Sequence, residues 1–239
     1  MKKSDDCTLC HYTKIQKAPG ETAKVKAGPS CESCHNPASE WMDIHNDYGG
    51  PDVKAKDETP AHREKRLADA ANAGMIASRM VYDIASSCMR CHGLANPNLK
   101  ADSLATMLEA GHPVKDEFEV VSYSQGKLRH RFTPPDGPTN NKLDAAGTAR
   151  LFIGGQAAAF VAASRVMDKS SNPKFKAVQK KRLDSASKNL QALADKVPAI
   201  KALLANPSDE NGRKLAEALE GKDLSADVAG MLPKESDYK

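Results

Sequence analysis

Aromatic side chains are scarce in this chain: one Trp, five Tyr and five Phe among 239 residues. Hydrophobic residues reach only 40%, which is low for a chain that must close a large core from its side chains alone. Long apolar runs are missing. The alanine-rich stretch from Ala157 to Ala163 falls far short of the ~18 residues of a membrane-crossing helix, so no transmembrane segment is expected. No secretory leader is visible, because Met1-Lys2-Lys3 runs straight into Ser4-Asp5-Asp6 without an apolar stretch. Strong charge imbalance is also missing. The formal net charge is +4, and lysines are spread along the chain, often alternating with acids. That pattern leaves no footprint for nucleic acid. Beyond residue 135 there is neither histidine nor cysteine.

What the chain has is concentrated. All six cysteines fall in three copies of one pattern: Cys7-Thr8-Leu9-Cys10-His11, Cys31-Glu32-Ser33-Cys34-His35 and Cys88-Met89-Arg90-Cys91-His92. C-x-x-C-H is the attachment signature of a c-type haem. Two thiols add to the two vinyl groups of one porphyrin, and two intervening residues let both sulfurs reach the same macrocycle edge. The next residue, His, lies under the iron as its proximal ligand. A four-cysteine zinc site from Cys7, Cys10, Cys31 and Cys34 is the main competitor. It leaves Cys88 and Cys91 without partners and gives no reason for three trailing histidines. A thioredoxin-type dithiol needs a βαβ setting that the sequence does not show, and three disulfides leave the histidines equally unexplained. Three covalently attached haem c groups are therefore expected.

Haem also accounts for the thin side-chain core, since each porphyrin is a large apolar plate. With two propionates per haem, the net charge becomes roughly +1 oxidised and roughly −2 reduced. Covalent haem attachment takes place outside the cytoplasm, so a periplasmic or other extracytoplasmic location is expected, inferred from the haem motifs alone.

The expected fold is mainly α: a loop-rich multihaem cytochrome c core with few or no strands, followed by a C-terminal helical bundle or cap. The core is assigned to residues 1–135 and the haem-free helical region to residues 140–239, with the breaker Thr133-Pro134-Pro135-Asp136-Gly137-Pro138 between them. Residues 12–30 read as a lysine-rich linker, and its brevity makes the first two haems near neighbours. Residues 36–58 read as loop. Thr59-Pro60 opens a helix, with Gly74 as its weak point and a continuation or restart through Val81–Ser87 that delivers Cys88. A short helix from Ser103 to Ala110 stops at Gly111, and Phe118–Val121 reads as strand or extended. Long helices follow at Leu143–Met167 and Lys174–Lys196, with Phe175, Val178, Leu183, Ala186, Leu190 and Leu193 near helical spacing. Shorter helices are expected at Pro198–Ala205, Ser208–Glu220 and Ser225–Leu232.

His11, His35 and His92 are the proximal ligands, which leaves His45, His62, His112 and His130 for the opposite faces. A lone histidine is more often a surface or packing residue, so the inference rests on the group. Met42, Met75, Met80, Met89 and Met107 are the softer alternatives. At this point a family resemblance enters. Cys31-Glu32-Ser33-Cys34-His35-Asn36-Pro37, with a histidine about ten residues on, resembles the haem motif of multihaem cytochromes of the cytochrome c-554 group. There a C-E-S-C-H-G-P run precedes a histidine that ligates another haem. The resemblance covers about residues 5–135 and implies His45 as a distal ligand, that of the first haem. Ala110-Gly111-His112-Pro113 with Phe118-Glu119 resembles a ligand segment of related tetrahaem cytochromes, and His130 fits the later histidine of that pattern. His62 is the reserve, with exposure at a helix start as its ordinary reading. The chain departs from the family in having three motifs where many relatives have four or more, in carrying Asn36 where Gly is usual, and in lacking a histidine between His11 and Cys31.

The function expected on these grounds is electron transport through closely spaced, mostly bis-histidine low-spin haems, not catalysis. Other redox proteins would be donor and acceptor. Lys14, Lys17, Lys24 and Lys26 are candidates for steering acidic partners, although an ordinary solvated face is the commoner meaning of such lysines. Two alternatives stand beside this reading. One is a multihaem enzyme with one open iron acting on a small nitrogen or sulfur compound. The other is a subunit of a haem filament, oligomer or larger redox complex.

Overall fold

The computed structural model, which describes residues 2–126 and 142–239, is mainly helical. It divides into two compact units, at Arg79/Met80. The first holds α1 (Asp5–His11), β1 (Thr13–Ile15), β2 (Lys24–Ala27), α2 (Cys31–His35), a 3-10 turn at Ala38–Glu40, α3 (Met42–Asn46) and α4 (Pro60–Asn72). The second holds α5 (Val81–His92), α6 (Ala101–Glu109), α7 (Val120–Ser124), α8 (Ala145–Val166), α9 (Pro173–Gln191), α10 (Ala199–Ala205), α11 (Asp209–Ala218) and α12 (Ser225–Val228). No helix among the described residues is long and apolar enough to cross a membrane.

In the first unit, the stretch expected to be a linker is a hairpin. β1 and β2 pair antiparallel, with Thr13 opposite Ala27 and Ile15 opposite Lys24. The Thr13 hydroxyl donates to the Gly28 carbonyl at 2.9 Å and lies 2.9 Å from Ser30 Oγ. The hairpin therefore returns the chain from the end of α1 to the start of α2. Further on, Thr59 caps α4 by accepting from the His62 N–H at 3.3 Å, and Pro60 takes the first helical position. That helix does not run on to Met80. Gly74, at φ +101°, closes it with bonds from Gly74 N to Ala71 O and from Met75 N to Ala70 O, both at 2.9 Å, the Schellman arrangement. The apolar side chains buried in this unit, among the described residues, are those of Ala70, Met75 and Ile76.

The second unit is built on α8. Asp144 caps this helix by accepting from Gly147 N at 2.6 Å, and small residues keep its sides open for close packing by α5, α7, α9 and α11. Gly212 on α11 marks one such approach: a Cβ there would stand 2.1 Å from the Tyr82 ring of α5. Tyr82, Phe152, Phe175, Leu190, Leu203 and Leu215 are fully buried.

The helix carrying the third motif packs directly on α8, within the unit that begins at Met80. The breaker at 133–138 lies outside the described residues. Val120 and Val121 read as strand by propensity but open α7. Glu119, still extended, accepts from Ser122 N at 2.7 Å and caps it, while both valines are buried. Burial and a cap outweigh a β-propensity worth about 1 kcal/mol.

Candidate functional site

Each C-x-x-C-H motif forms the closing turn of a helix, and each of those helices ends on the motif's histidine: α1 at His11, α2 at His35 and α5 at His92. In an α-helix, positions i, i+3 and i+4 share one face. Cys7, Cys10 and His11 therefore share a face, as do Cys31, Cys34 and His35, and Cys88, Cys91 and His92. Among the described residues, no three or more His, Cys, Asp and Glu side chains converge into a group that would hold a bare metal ion. The four cysteines of the first two motifs thus do not gather as a zinc site. A haem iron makes a smaller demand, because the porphyrin provides four nitrogens and the protein needs one or two.

His35 is the best anchored of the three proximal candidates. Its Nδ1 lies 2.6 Å from the Ile76 carbonyl, and Ile76 N donates back to the His35 carbonyl at 3.2 Å. A carbonyl only accepts, so Nδ1 carries the proton and Nε2 keeps its lone pair. This is the tautomer a metal ligand needs, oriented from its far side. The turn at Gly74 brings Ile76 to this place. Asn36 Nδ2 adds a bond to the Gly74 carbonyl at 2.9 Å.

His62 has a matching anchor. Its Nδ1 lies 2.8 Å from Glu58 Oε1, and the Glu58 side chain is 1% exposed. Arg66 forks onto the same carboxylate with Nε and Nη2, both at 2.7 Å, and donates from Nη1 to the His45 carbonyl at 2.5 Å. The Arg66 fork outweighs burial, and with help from His62 it lowers the Glu58 carboxyl to about 2. His62 is therefore half-buried and oriented, rather than an exposed helix-start residue. Its Nε2 is left open, next to Gly49. His45, on α3, meets Trp41 edge-on at 6.0 Å. Trp41 Nε1 is buried without a hydrogen-bond partner, an indole donor suited to a carboxylate such as a haem propionate.

In the second unit, His92 stacks on Phe118 at 4.1 Å and lies 5.5 Å from Tyr123. Partial burial, and secondarily the Arg182 charge, lower its pKa, although part of the residue stays exposed. His112 follows a second Schellman turn, in which Gly111 N donates to Leu108 O at 3.0 Å and His112 N to Met107 O at 2.9 Å. His112 Nδ1 then reaches the Pro113 carbonyl at 3.0 Å. His130 lies outside the described residues.

The residues that sequence reasoning missed are the supports. Gln179 Nε2 donates to the Gly93 carbonyl at 3.0 Å, and Arg182 Nη2 donates to the carbonyls of Lys115 at 2.7 Å and His92 at 3.3 Å. Both residues belong to α9, in the half expected to stand apart from the haems. The buried stripe of α9 is Phe175, Gln179, Arg182, Ala186 and Leu190, a regular helical face with two polar members. An apolar-only search passes over those two. The face of α5 opposite Cys88, Cys91 and His92 carries Asp83, Ser86 and Arg90. It lines a pocket of about 200 Å³ with Arg165, Asp209 and Arg213. Two ion pairs cross it: Arg213 Nε donates to Asp83 at 2.9 Å and Arg165 Nη2 to Asp209 at 2.6 Å. It is a strut between helices.

No family model, curated protein or solved structure matches the chain.

Proposed function

We propose that this protein is a trihaem c-type cytochrome that carries electrons between redox partners outside the cytoplasm. The observation carrying the proposal is that all six cysteines lie in helix-closing turns, each with two thiols and an imidazole on one face. Cys7 and Cys10, Cys31 and Cys34, and Cys88 and Cys91 would hold the three porphyrins, with His11, His35 and His92 on the irons. Bound haem contributes an iron that takes up and gives back one electron.

The chain's part is to hold ligands still and exclude water. Ile76 fixes the His35 tautomer, Glu58 fixes that of His62, and Phe118 and Tyr123 pack the His92 ring. These supports favour His62 alongside His45, His112 and His130 as a source of distal ligands. A second ligand on every iron leaves no place for substrate and keeps the geometry the same in both oxidation states, which suits a carrier. The hairpin between the first two motifs, with Thr13 against Ser30, supports close spacing of their haems. The scarcity of buried apolar side chains in residues 2–79 supports a core completed by porphyrin.

The test is a haem count on exported protein together with low-temperature EPR of the air-oxidised form. Three haems per chain, all low-spin ferric, is the expected result. A stoichiometric high-spin signal would overturn the pure carrier in favour of an enzyme with one open iron. A chain without haem would overturn the proposal altogether.

A further inference from the structure

We propose that Arg182 is a buried cation that raises the reduction potential of the haem on Cys88–His92. The inference rests on the reading of that motif as a haem site.

Arg182 projects from α9 and is 6% exposed. The partners of its guanidinium are neutral oxygens: Gln179 Oε1 at 2.6 Å, the Lys115 carbonyl at 2.7 Å and the His92 carbonyl at 3.3 Å. Its Nε is buried with no partner at all. A desolvated charge without a carboxylate fork is costly, and proteins ordinarily pair such groups. The nearest compensation is Asp116, whose carboxylate is bound at 2.6 Å by the exposed Lys181 instead. The site thus keeps an incompletely neutralised positive charge against the last turn of the third motif's helix.

Holding the α5 carbonyls does not require that charge. Gln179, which is neutral, already bonds the Gly93 carbonyl from the same helix face. A cation at a helix C-terminus does stabilise the helix dipole, and that is the merely structural role. The guanidinium reaches the carbonyl of His92 itself, at 3.3 Å, so the same field extends to the residue whose imidazole would bind the iron. Reduction adds one electron to the ferric iron that this imidazole would bind. It lowers the local charge by one, with no bond broken and no proton taken up by Arg182. A buried cation beside the ligand favours the ferrous state, and burial protects the effect from salt screening.

The test is a mediated optical redox titration of the full-length holoprotein in wild-type, R182Q, R182K and D116N forms. A C88A/C91A form identifies which midpoint belongs to the third haem. R182Q is expected to lower that midpoint by a tenfold change in the ferric-to-ferrous ratio, about 59 mV for one electron, and to leave the other two in place. R182K is expected to keep most of the wild-type value. D116N, at a part-exposed residue, is expected to move the same midpoint upward by removing the compensating charge. Opposite shifts from R182Q and D116N are not produced by a structural role. A third-haem midpoint that ignores both substitutions, with three haems still bound, overturns the inference alone. If R182Q does not fold, D116N decides: no upward shift overturns it. No haem on Cys88 and Cys91, read by peptide mass spectrometry, overturns the underlying reading as well.

Discussion

Asn36 sits at φ 65° and ψ 165°, a region nearly reserved for glycine, where other residues store about 1–3 kcal/mol of strain. Asn tolerates it by bonding the Gly74 carbonyl, beside the His35–Ile76 pair. N36A keeps the strain and loses the bond, so it is expected to cost roughly 1–2 kcal/mol in chemical denaturation. N36G loses the bond but relieves the strain and is expected to stay within about 0.5 kcal/mol of wild type. Equal costs for both would count against this account. His62 carries a second expectation at the same scale. With Nδ1 committed to Glu58, H62A should turn one low-spin ferric EPR signal into a high-spin one. Should H62A leave every iron low-spin while H45A opens one, Glu58 orients a histidine that is not a ligand.

Between elements, α5 and α11 meet where Gly212 faces Tyr82. G212A drives a methyl into a fully buried ring and is expected to cost about 1–3 kcal/mol by overpacking, measured as a drop in the unfolding midpoint with unchanged haem content. The same contact carries a pH dependence. Burial raises the Asp209 carboxyl, but hydrogen bonds from Tyr82 and Arg165 outweigh it and leave the group below its ordinary 3.8. A depressed folded value gives stability that is complete above the ordinary value and is lost as the pH falls through the folded one. Wild type should therefore weaken below about pH 4, and D209N should weaken less over that window while starting about 1 kcal/mol lower at neutral pH. Parallel pH profiles would show that Asp209 adds nothing to the crossing. The helices themselves were legible because their ends are local: Thr59-Pro60, Asn172-Pro173 and Gly111 act within a few residues. The motifs were legible because cysteine spacing is covalent chemistry. Arg182 was not, since it draws its role from Lys115 and His92, far along the chain. Helical spacing with Phe175, Gln179 and Ala186 sets Arg182 on the buried face, but a search for apolar residues passes over it.

At the scale of the whole chain, the two units differ in what closes them. Residues 80–239 bury a long series of apolar side chains, Tyr82, Phe152, Phe175, Leu190 and Leu215 among them, around α8. Residues 2–79 bury Ala70, Met75 and Ile76 and carry two of the three motifs. Composition hinted at a thin core without saying which part was thin, because a percentage averages over the chain. Pro and Gly mark where a helix stops, not which helices pack together, so the packing of the third motif's helix on α8 was not legible either. A fully buried large apolar side chain stabilises by about 1.5–3 kcal/mol, and a unit with so few falls short of the entropy its folding costs unless another apolar body is present. Chain made in the cytoplasm without haem is therefore expected to be half-folded. Hydrogen exchange read by mass spectrometry should show protected amides in α8, α9 and α11 and fast exchange through α1, β1, β2, α2 and α3. Exported, haem-loaded chain should gain protection in the first unit by many-fold, with a smaller change in α8 and α9. Slow exchange throughout residues 2–79 of the haem-free chain would mean that side chains and hydrogen bonds alone hold that unit, and the porphyrins would lose their role as its core.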